Sequence, residues 1–210
     1  MSYRANASCA PAAEPLHGDY VVPFRYARRP SMALTATIRK FDLVLSDSDR
    51  GVYETLEFRV AQHPSETDRY LVTRVLARAL EHDEGVDFTK GLSSADEPAI
   101  WRKDLRGDLH AWIEIGSPAP ERLHRALKAC DRVAVYGWQR MRELARSVVE
   151  FEAHRADELV VFALDPGFLD RVATKLDRNN RWELSVSGGT LYLTIFGVLF
   201  EGTVDRVPMS

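Results

Sequence analysis

Two kinds of hydrophobic pattern divide the chain into predicted strands and predicted helices. Alternating or continuously apolar stretches are typical of β-strands, whereas apolar residues spaced three or four apart are typical of an amphipathic α-helix. Strands are predicted over residues 38–45, 52–60, 86–89, 109–115, 133–136, 159–164, 182–187 and 190–196. Helices are predicted over residues 65–81, 98–105, 122–130, 140–149 and 168–176. Such mixing of strands and helices along the chain predicts a mixed α/β (α+β) domain.

Turn-forming and proline-rich segments set the predicted boundaries. Gly188 and Gly189 separate the last two predicted strands, and both residues tolerate the positive φ of a two-residue hairpin turn. Residues 1–32 contain four of the ten prolines and show neither helical nor strand periodicity, so we expect a mobile N-terminal extension there. A single domain is expected over residues 33–210.

Composition and charge narrow the class of protein. The 210 residues are 45% hydrophobic and 28% charged with a net charge of −3, which fits one soluble globular domain and excludes a generally basic surface. The two cysteines, Cys9 and Cys130, fit a reducing compartment. The most apolar run, over residues 191–200, is about half of the roughly 20 residues that a transmembrane helix requires. We therefore expect a cytoplasmic protein without membrane contact.

Acidic residues recur near the ends of the predicted elements and are the first candidates for chemistry. Glu66 lies at the start of the first long helix, Asp96 and Glu97 lie in a polar loop, and Glu114 lies within a strand. Three or four carboxylates brought together are the usual requirement for Mg²⁺, which prefers oxygen ligands and can activate a water for phosphodiester cleavage. The pattern raises the hypothesis of a magnesium site.

Each carboxylate also has a structural interpretation. Ser65 with Asp68, and Ser94 with Glu97, have the spacing of capping boxes at helix N-termini. Glu114 lies between two isoleucines, so its side chain is either on a solvated face of the sheet or needs a partner. The residues alone leave both interpretations open.

Four segments in order resemble the YaeQ family of bacterial proteins. They are His63-Pro64-Ser65-Glu66-Thr67-Asp68, Phe88-Thr89-Lys90-Gly91-Leu92-Ser93, Asp96-Glu97-Pro98 with Trp101, and Trp112-Ile113-Glu114-Ile115-Gly116 with Pro118. The start Met32-Ala33-Leu34-Thr35-Ala36-Thr37-Ile38 is also similar to the amino terminus of that family. The resemblance is dense over residues 33–118 and sparse beyond about residue 137.

This resemblance implies a PD-(D/E)XK nuclease-like fold, a mixed central sheet flanked by helices with acidic residues converging at one end. By position, Glu66, Asp96 (or its neighbour Glu97) and Glu114 would be both catalytic residues and metal ligands. The chain departs from the pattern at Gly116, where the (D/E)-x-K motif has its lysine. The usual water-activating cation is therefore missing from that strand.

The resemblance also implies which residues would surround the carboxylates. Lys90 is the nearest candidate for the missing catalytic cation, and Arg125 on the following helix is another, although arginine is a poor proton acceptor. Ser65, Ser93, Glu97 and Arg125 would be binding residues.

Two functions follow from these expectations. One is a Mg²⁺-dependent, nuclease-like phosphodiesterase acting on nucleic acid. The alternative is a non-catalytic member of the same fold that binds nucleic acid or a protein, with a link to transcription.

Overall fold

Strands make up most of the regular structure in the computed structural model, which describes residues 36–90 and 96–209. Within these residues the chain forms ten β-strands and four α-helices, so the predicted mixed α/β class is confirmed. The strands are β1 (Thr37–Asp47), β2 (Val52–Gln62), β3 (Val86–Phe88), β4 (Ile100–Lys103), β5 (Leu109–Ile115), β6 (Arg132–Gly137), β7 (Val160–Leu164), β8 (Asn179–Ser187), β9 (Thr190–Ile195) and β10 (Val198–Val207). The helices are α1 (Asp68–Leu80), α2 (Pro120–Ala129), α3 (Met141–Glu150) and α4 (Pro166–Ala173), with a 3₁₀ turn at Ala156–Glu158.

The ten described strands form one mixed sheet in the order β2-β1-β8-β9-β10-β7-β6-β5-β4-β3. The pairs β1–β8, β5–β6 and β6–β7 are parallel. Because strand twist accumulates across a sheet of this size, the two edge strands approach each other, and the rings of Phe58 on β2 and Phe88 on β3 lie 5.2 Å apart. The sheet is therefore nearly closed around its inner face.

Helix α1 lies inside this curled sheet. Nine of its thirteen residues are buried, which is typical of a helix surrounded by core on nearly every side. Leu71, Val75 and Leu76 belong to one continuous hydrophobic core with Phe41 of β1 and Ile113 of β5. The N-terminus and the C-terminus of α1 therefore open at opposite ends of the sheet.

Helices α2 and α3 cover the other face of the parallel strands. Leu123 and Val148 form a second core there with Val133 of β6 and Val161 of β7. Both faces of these strands are thus buried, which explains why residues 133–136 form an almost continuously apolar run.

One predicted helix is wrong, and one strand of the structure was not predicted. The helix predicted over residues 98–105 is wrong, because Ile100–Lys103 form β4, which pairs antiparallel with β5 through pairs such as Trp101 with Trp112. Strand β10 was not predicted, although it pairs with both β9 and β7. Both errors concern strands that are defined by their partners in the sheet rather than by their own sequence pattern.

The start of α1 also differs from the prediction. The helix begins at Asp68, and its N-cap is Thr67, whose hydroxyl accepts a hydrogen bond of 3.2 Å from the backbone N–H of Tyr70. The predicted capping box of Ser65 with Asp68 is therefore wrong. Ser65 instead lies in the preceding turn, with its hydroxyl 2.6 Å from Nδ1 of His63.

Other expectations concern the ends of the chain and the membrane. The predicted extension over residues 1–32 and the start of the domain at residue 33 lie outside the described residues and stay predictions. None of the helices in the described part is both long enough and apolar enough to cross a membrane.

Candidate functional site

Two of the predicted carboxylates, those of Glu66 and Glu114, lie toward the carboxyl end of β5, where α1 and α2 also begin. Glu114 is the second-last residue of β5, and Glu66 lies two residues before α1. Strands β5 and β6 run parallel here. The carboxyl ends of parallel strands are where α/β proteins usually bind ligands. We call this region the carboxyl-end site.

Glu66 is buried and bound by an arginine. Both of its carboxylate oxygens lie 3.2 Å from Nη1 of Arg74, which lies in the middle of α1. The backbone N–H of His63 donates to Oε2 at 3.1 Å. Burial raises the pKa of Glu66 above its usual range, while Arg74 and the His63 amide act in the opposite direction. Its oxygens therefore already accept charge-assisted hydrogen bonds.

Arg74 has a second role, because it connects the two edges of the sheet. Its Nη2 donates to the carbonyl of Thr89, just after β3, at 3.0 Å, and its Nη1 lies 3.4 Å from the carbonyl of Ala61 on β2. The guanidinium also lies 5.1 Å from the ring centroid of Phe88. The Glu66–Arg74 pair thus holds together the place where the sheet nearly closes.

Glu114 is also buried and bound by an arginine. Its Oε1 accepts hydrogen bonds of 2.6 Å from Nε of Arg122 on α2 and from Nε1 of Trp112, two positions earlier on the same face of β5. Burial raises the pKa of Glu114, and Arg122 and the indole N–H oppose this. Of the two interpretations left open by the sequence, the structure supports a buried carboxylate with partners.

Tyr70 on α1 connects the surroundings of the two carboxylates. Burial, and then the negative charges of Glu66 and Glu114, raise the pKa of Tyr70 to about 12. Its phenol therefore keeps its proton at neutral pH. Both carboxylates thus act in the same direction on the pKa of the Tyr70 hydroxyl.

Asp96 lines a cavity of about 180 Å³ that lies beside the two side chains bonded to Glu114. Trp112, Arg122 and Arg125 also line this cavity, together with Ala126 and Ala129. Residues 122, 125, 126 and 129 have the i, i+3, i+4, i+7 spacing of one helix face. Two arginines and two small alanines of α2 thus face the indole of Trp112, over which the Arg122 guanidinium lies at 5.3 Å. We call this space the α2 cavity.

The remaining predicted residues lie around this region or outside the described residues. The backbone carbonyl of Glu97 accepts a hydrogen bond of 2.5 Å from Arg122, and its carboxylate lies 3.4 Å from the backbone N–H of Lys90. Lys90 itself is exposed. Ser65 bonds within its own turn, where its hydroxyl and its backbone N–H both contact Nδ1 of His63. Ser93 lies in residues 91–95, outside the described part of the chain.

The carboxylates as arranged do not fit a magnesium ion. Among the described residues, no group of three His, Cys, Asp or Glu side chains is placed to hold a metal. Glu66 and Glu114 each direct oxygens to an arginine, whereas Mg²⁺ needs several oxygens that are free to coordinate it. The predicted roles of Glu66, Asp96, Glu114 and Lys90 in catalysis stay predictions.

The backbone explains why glycine occupies position 116. Strand β5 ends at Ile115, and the next residue, Gly116, has a φ of +88°. Residues other than glycine adopt this backbone angle only with strain. Its N–H donates to the carbonyl of Tyr136 at 2.8 Å, which fixes this conformation beside β6. A Cβ at this position would meet no atom within 4 Å. The backbone angle, and not lack of space, therefore disfavours a lysine.

Three important residues were not singled out as site residues from the sequence. They are Tyr70, Arg74 and Arg122. A signal existed for Arg74, because it falls among the apolar positions of α1, where a charged side chain needs a partner. For Arg122 no local signal existed, because its contact with Glu114 depends on how the loop before α2 folds.

Comparisons with known proteins agree with the resemblance found in the sequence. The family model described as "YaeQ protein" matches residues 32–198. The chain belongs to the YaeQ family. It is 30% identical over 164 residues to the "Uncharacterized protein YaeQ" of Salmonella typhi and to that of Escherichia coli (strain K12), which covers 78% of this chain and 91% of each relative.

Crystal structures of two YaeQ proteins have a similar fold. The YaeQ protein of Pseudomonas syringae superposes with a TM-score of 0.75 at 32% identity, covering 81% of this chain and 95% of that one. The YaeQ protein of Xanthomonas axonopodis pv. citri also gives a TM-score of 0.75 at 32% identity, covering 83% of this chain and all of the other. The mixed α/β architecture is thus shared with solved members of the YaeQ family.

Proposed function

We propose that the chain is a non-catalytic YaeQ-family protein of the PD-(D/E)XK nuclease-like type that binds single-stranded nucleic acid at the α2 cavity. The observation that carries the proposal is the pairing of Glu114 with Arg122. Where a nuclease of this type needs an acid that is free to hold a metal, this chain has an arginine already bound to that acid. The same arginine lines a cavity beside an indole ring.

The chemistry of the α2 cavity suits an unpaired nucleotide. Aromatic rings and guanidinium planes stack on bases that are not held in a duplex, and arginines bond phosphate oxygens. Trp112 is partly exposed and Arg125 is exposed, so both are available to a ligand. The overall charge of −3 means that such binding depends on this local surface.

Asp96, which also lines the cavity, makes the surface selective for single strands over a duplex. A carboxylate beside two arginines limits the number of phosphates that can approach, and it can accept a hydrogen bond from the exocyclic amine of a base. Single strands, whose base edges are exposed, can use this acceptor, whereas a duplex presents its phosphates first.

The test is fluorescence anisotropy with labelled single-stranded DNA and RNA oligonucleotides and a matched duplex. We expect a single strand to bind, with an affinity that falls as salt rises. Arg125→Gln should weaken binding by about tenfold, the usual effect of losing one charge-assisted contact. Lys128→Gln removes the same charge from an exposed position of α2 that does not line the cavity, and it should leave the affinity almost unchanged.

Three outcomes would contradict the proposal. They are no binding of any oligonucleotide at micromolar protein, equal losses in the Arg125 and Lys128 variants, and cleavage of the oligonucleotide that requires Mg²⁺ and disappears in Glu114→Gln. The last result would instead support the predicted metal-dependent nuclease. Binding of a transcription protein without any nucleic acid would support the protein-binding alternative.

A further inference from the structure

A larger cavity lies at the opposite end of α1, about 20 Å from the N-terminus of that helix at a rise of about 1.5 Å per residue. Its volume is about 350 Å³, within the lower part of the range of sites for small molecules, which is about 300–1,000 Å³. Its polar lining comes from the end of α1, the β1–β2 turn, β4 and β6, and includes Glu81, Arg50, Arg102, Arg132 and Tyr136. We call it the arginine cavity.

The polar wall carries more positive than negative charge. Arg50, Arg102 and Arg132 line the cavity with two carboxylates, those of Glu81 and Asp83, so the lining has three positive and two negative groups and a net charge of +1. Arg50 lies 3.9 Å from Asp47 outside the lining, at the limit of an ion pair. The side chains of Arg50, Arg102 and Arg132 are 37%, 33% and 41% exposed, so all three can reach a ligand.

The hydrogen bonds within the wall leave donors for a ligand. Arg132 donates to Glu81 from Nε and Nη2 at 2.7 and 2.6 Å, which uses two of its five guanidinium hydrogens. Arg102 contacts Asp83 through Nη1 alone. Further N–H groups on both arginines are therefore available for the oxygens of an anion.

The arginines are also held in place before any ligand arrives. Arg50 donates from Nη2 to the carbonyl of His82 at 2.6 Å and contacts the carbonyl of Leu80 through Nη1. The hydroxyl of Tyr136 donates to Glu81 at 2.7 Å, which fixes the carboxylate that orients Arg132. Groups that are already ordered lose less conformational entropy on binding.

Apolar residues complete the cavity and indicate the kind of anion. Val86, Ile113 and Phe162 line it beside the arginines. Phe162 is partly exposed, whereas Val86 and Ile113 are buried. An inorganic ion would leave the exposed part of the Phe162 ring in water, whereas a molecule with an apolar body would bury it. We propose that the arginine cavity binds a small organic anion, in which a carboxylate or phosphate group contacts Arg102 and Arg132 and an apolar body lies against Val86 and Phe162.

The test is calorimetric titration of the full chain with two probes, benzoate and phenyl phosphate. We expect at least one of them to bind, and inorganic phosphate and the cation benzylamine to bind more weakly or not at all. The preferred probe identifies the anionic group. Inorganic phosphate binding as tightly as phenyl phosphate would contradict the part of the proposal that concerns the apolar body.

Three variants with small effects on folding locate the binding site. Arg102→Gln should weaken the preferred probe by about tenfold, because one charge-assisted contact is lost. Asp83→Asn should strengthen it severalfold, because it removes the carboxylate that competes for Arg102. Arg106 is an exposed arginine of the β4–β5 turn and does not line the cavity. Arg106→Gln should therefore leave the affinity for the probe unchanged.

The opposite effects at positions 102 and 83 separate a binding site from general charge attraction. Asp83 and Arg102 form a partly exposed pair, so neither substitution should unfold the protein. Absence of heat with both organic probes would overturn the proposal, and so would equal affinities in the Arg102→Gln and Arg106→Gln variants.

Discussion

An arginine–glutamate ion pair lies toward each end of α1, but the two pairs differ in how far they are exposed to solvent. At the N-terminal end the side chains of Arg74 and Glu66 are 1% and 0% exposed. At the C-terminal end the side chain of Arg132 is 41% exposed against 8% for Glu81. A fully buried pair cannot exchange its partner without leaving a charge in the core. A half-exposed arginine can bind a ligand and keep its carboxylate.

This difference separates structural arginines from arginines available for binding. Arg74 connects β2, β3 and Glu66, so it stabilises the nearly closed sheet. Arg102 and Arg132 border open space. At the carboxyl-end site, Arg122 is intermediate: its side chain is 21% exposed, it binds Glu114, and it lines the α2 cavity. An arginine–carboxylate pair therefore indicates function only when its exposure is known.

The largest effect is expected from breaking the buried pair. Arg74→Met should reduce the free energy of unfolding by about 3–5 kcal/mol, because Glu66 is left buried without its cation. The double variant Arg74→Met/Glu66→Gln should recover part of this loss. Urea unfolding followed by circular dichroism measures both values.

A control on the same helix makes this prediction specific. Arg69 pairs with Asp170 near the surface, so Arg69→Gln should cost less than about 1 kcal/mol. A loss for Arg74→Met no larger than that for Arg69→Gln would show that the buried pair does not hold the sheet together.

The pH dependence of stability should have opposite signs at the two ends. Burial raises the pKa of Glu114, so its folded form binds a proton more tightly than its unfolded form. Its contribution to stability is then fully present below the usual value of 4.5 and is lost as pH rises through the folded pKa. The Glu84 amide and Arg102 lower the pKa of Asp83, so its contribution is present above 3.8 and is lost as pH falls.

Variants that cannot titrate isolate these two contributions. Relative to Glu114→Gln, the wild type should lose unfolding free energy as pH rises above 4.5. Relative to Asp83→Asn, it should lose unfolding free energy as pH falls below 3.8, by a smaller amount because Asp83 is exposed. Denaturant unfolding at several pH values measures both, and the same sign for the two residues would contradict the comparison.

The smallest effect on stability is expected at the rim of the arginine cavity. Arg102→Gln should change the free energy of unfolding by less than about 0.5–1 kcal/mol, because an exposed pair contributes little. Thermal unfolding of the variant beside the wild type measures this. A loss as large as that of Arg74→Met would mean that this pair is structural as well.

The sequence pattern predicted those parts of the fold in which each element carries its own signal. The β8–β9 hairpin is confirmed, and both Gly188 and Gly189 have positive φ. The family resemblance, based on four segments, is confirmed as well. Strand β4 was missed because residues 98–105 carry no strong pattern and become a strand by pairing with β5.

The site could be predicted only in part. The resemblance implied that Glu66 and Glu114 converge at one end of the sheet, which stays a prediction; in the structure burial and then the charges of both raise the pKa of Tyr70. Their arginine partners could not be predicted in the same way. Arg122 reaches Glu114 across the β5–α2 loop, and a loop conformation is set by tertiary contacts rather than by residue spacing.

The most direct test of whether arginines occupy the acids of the carboxyl-end site is calorimetric titration with Mn²⁺, a sensitive substitute for Mg²⁺. The wild type and Glu114→Gln should give the same negligible heat, because Arg122 already binds that carboxylate. A one-site binding curve in the wild type that is absent in Glu114→Gln would contradict this expectation. It would show that Glu114 helps to bind a metal ion at this end of the sheet.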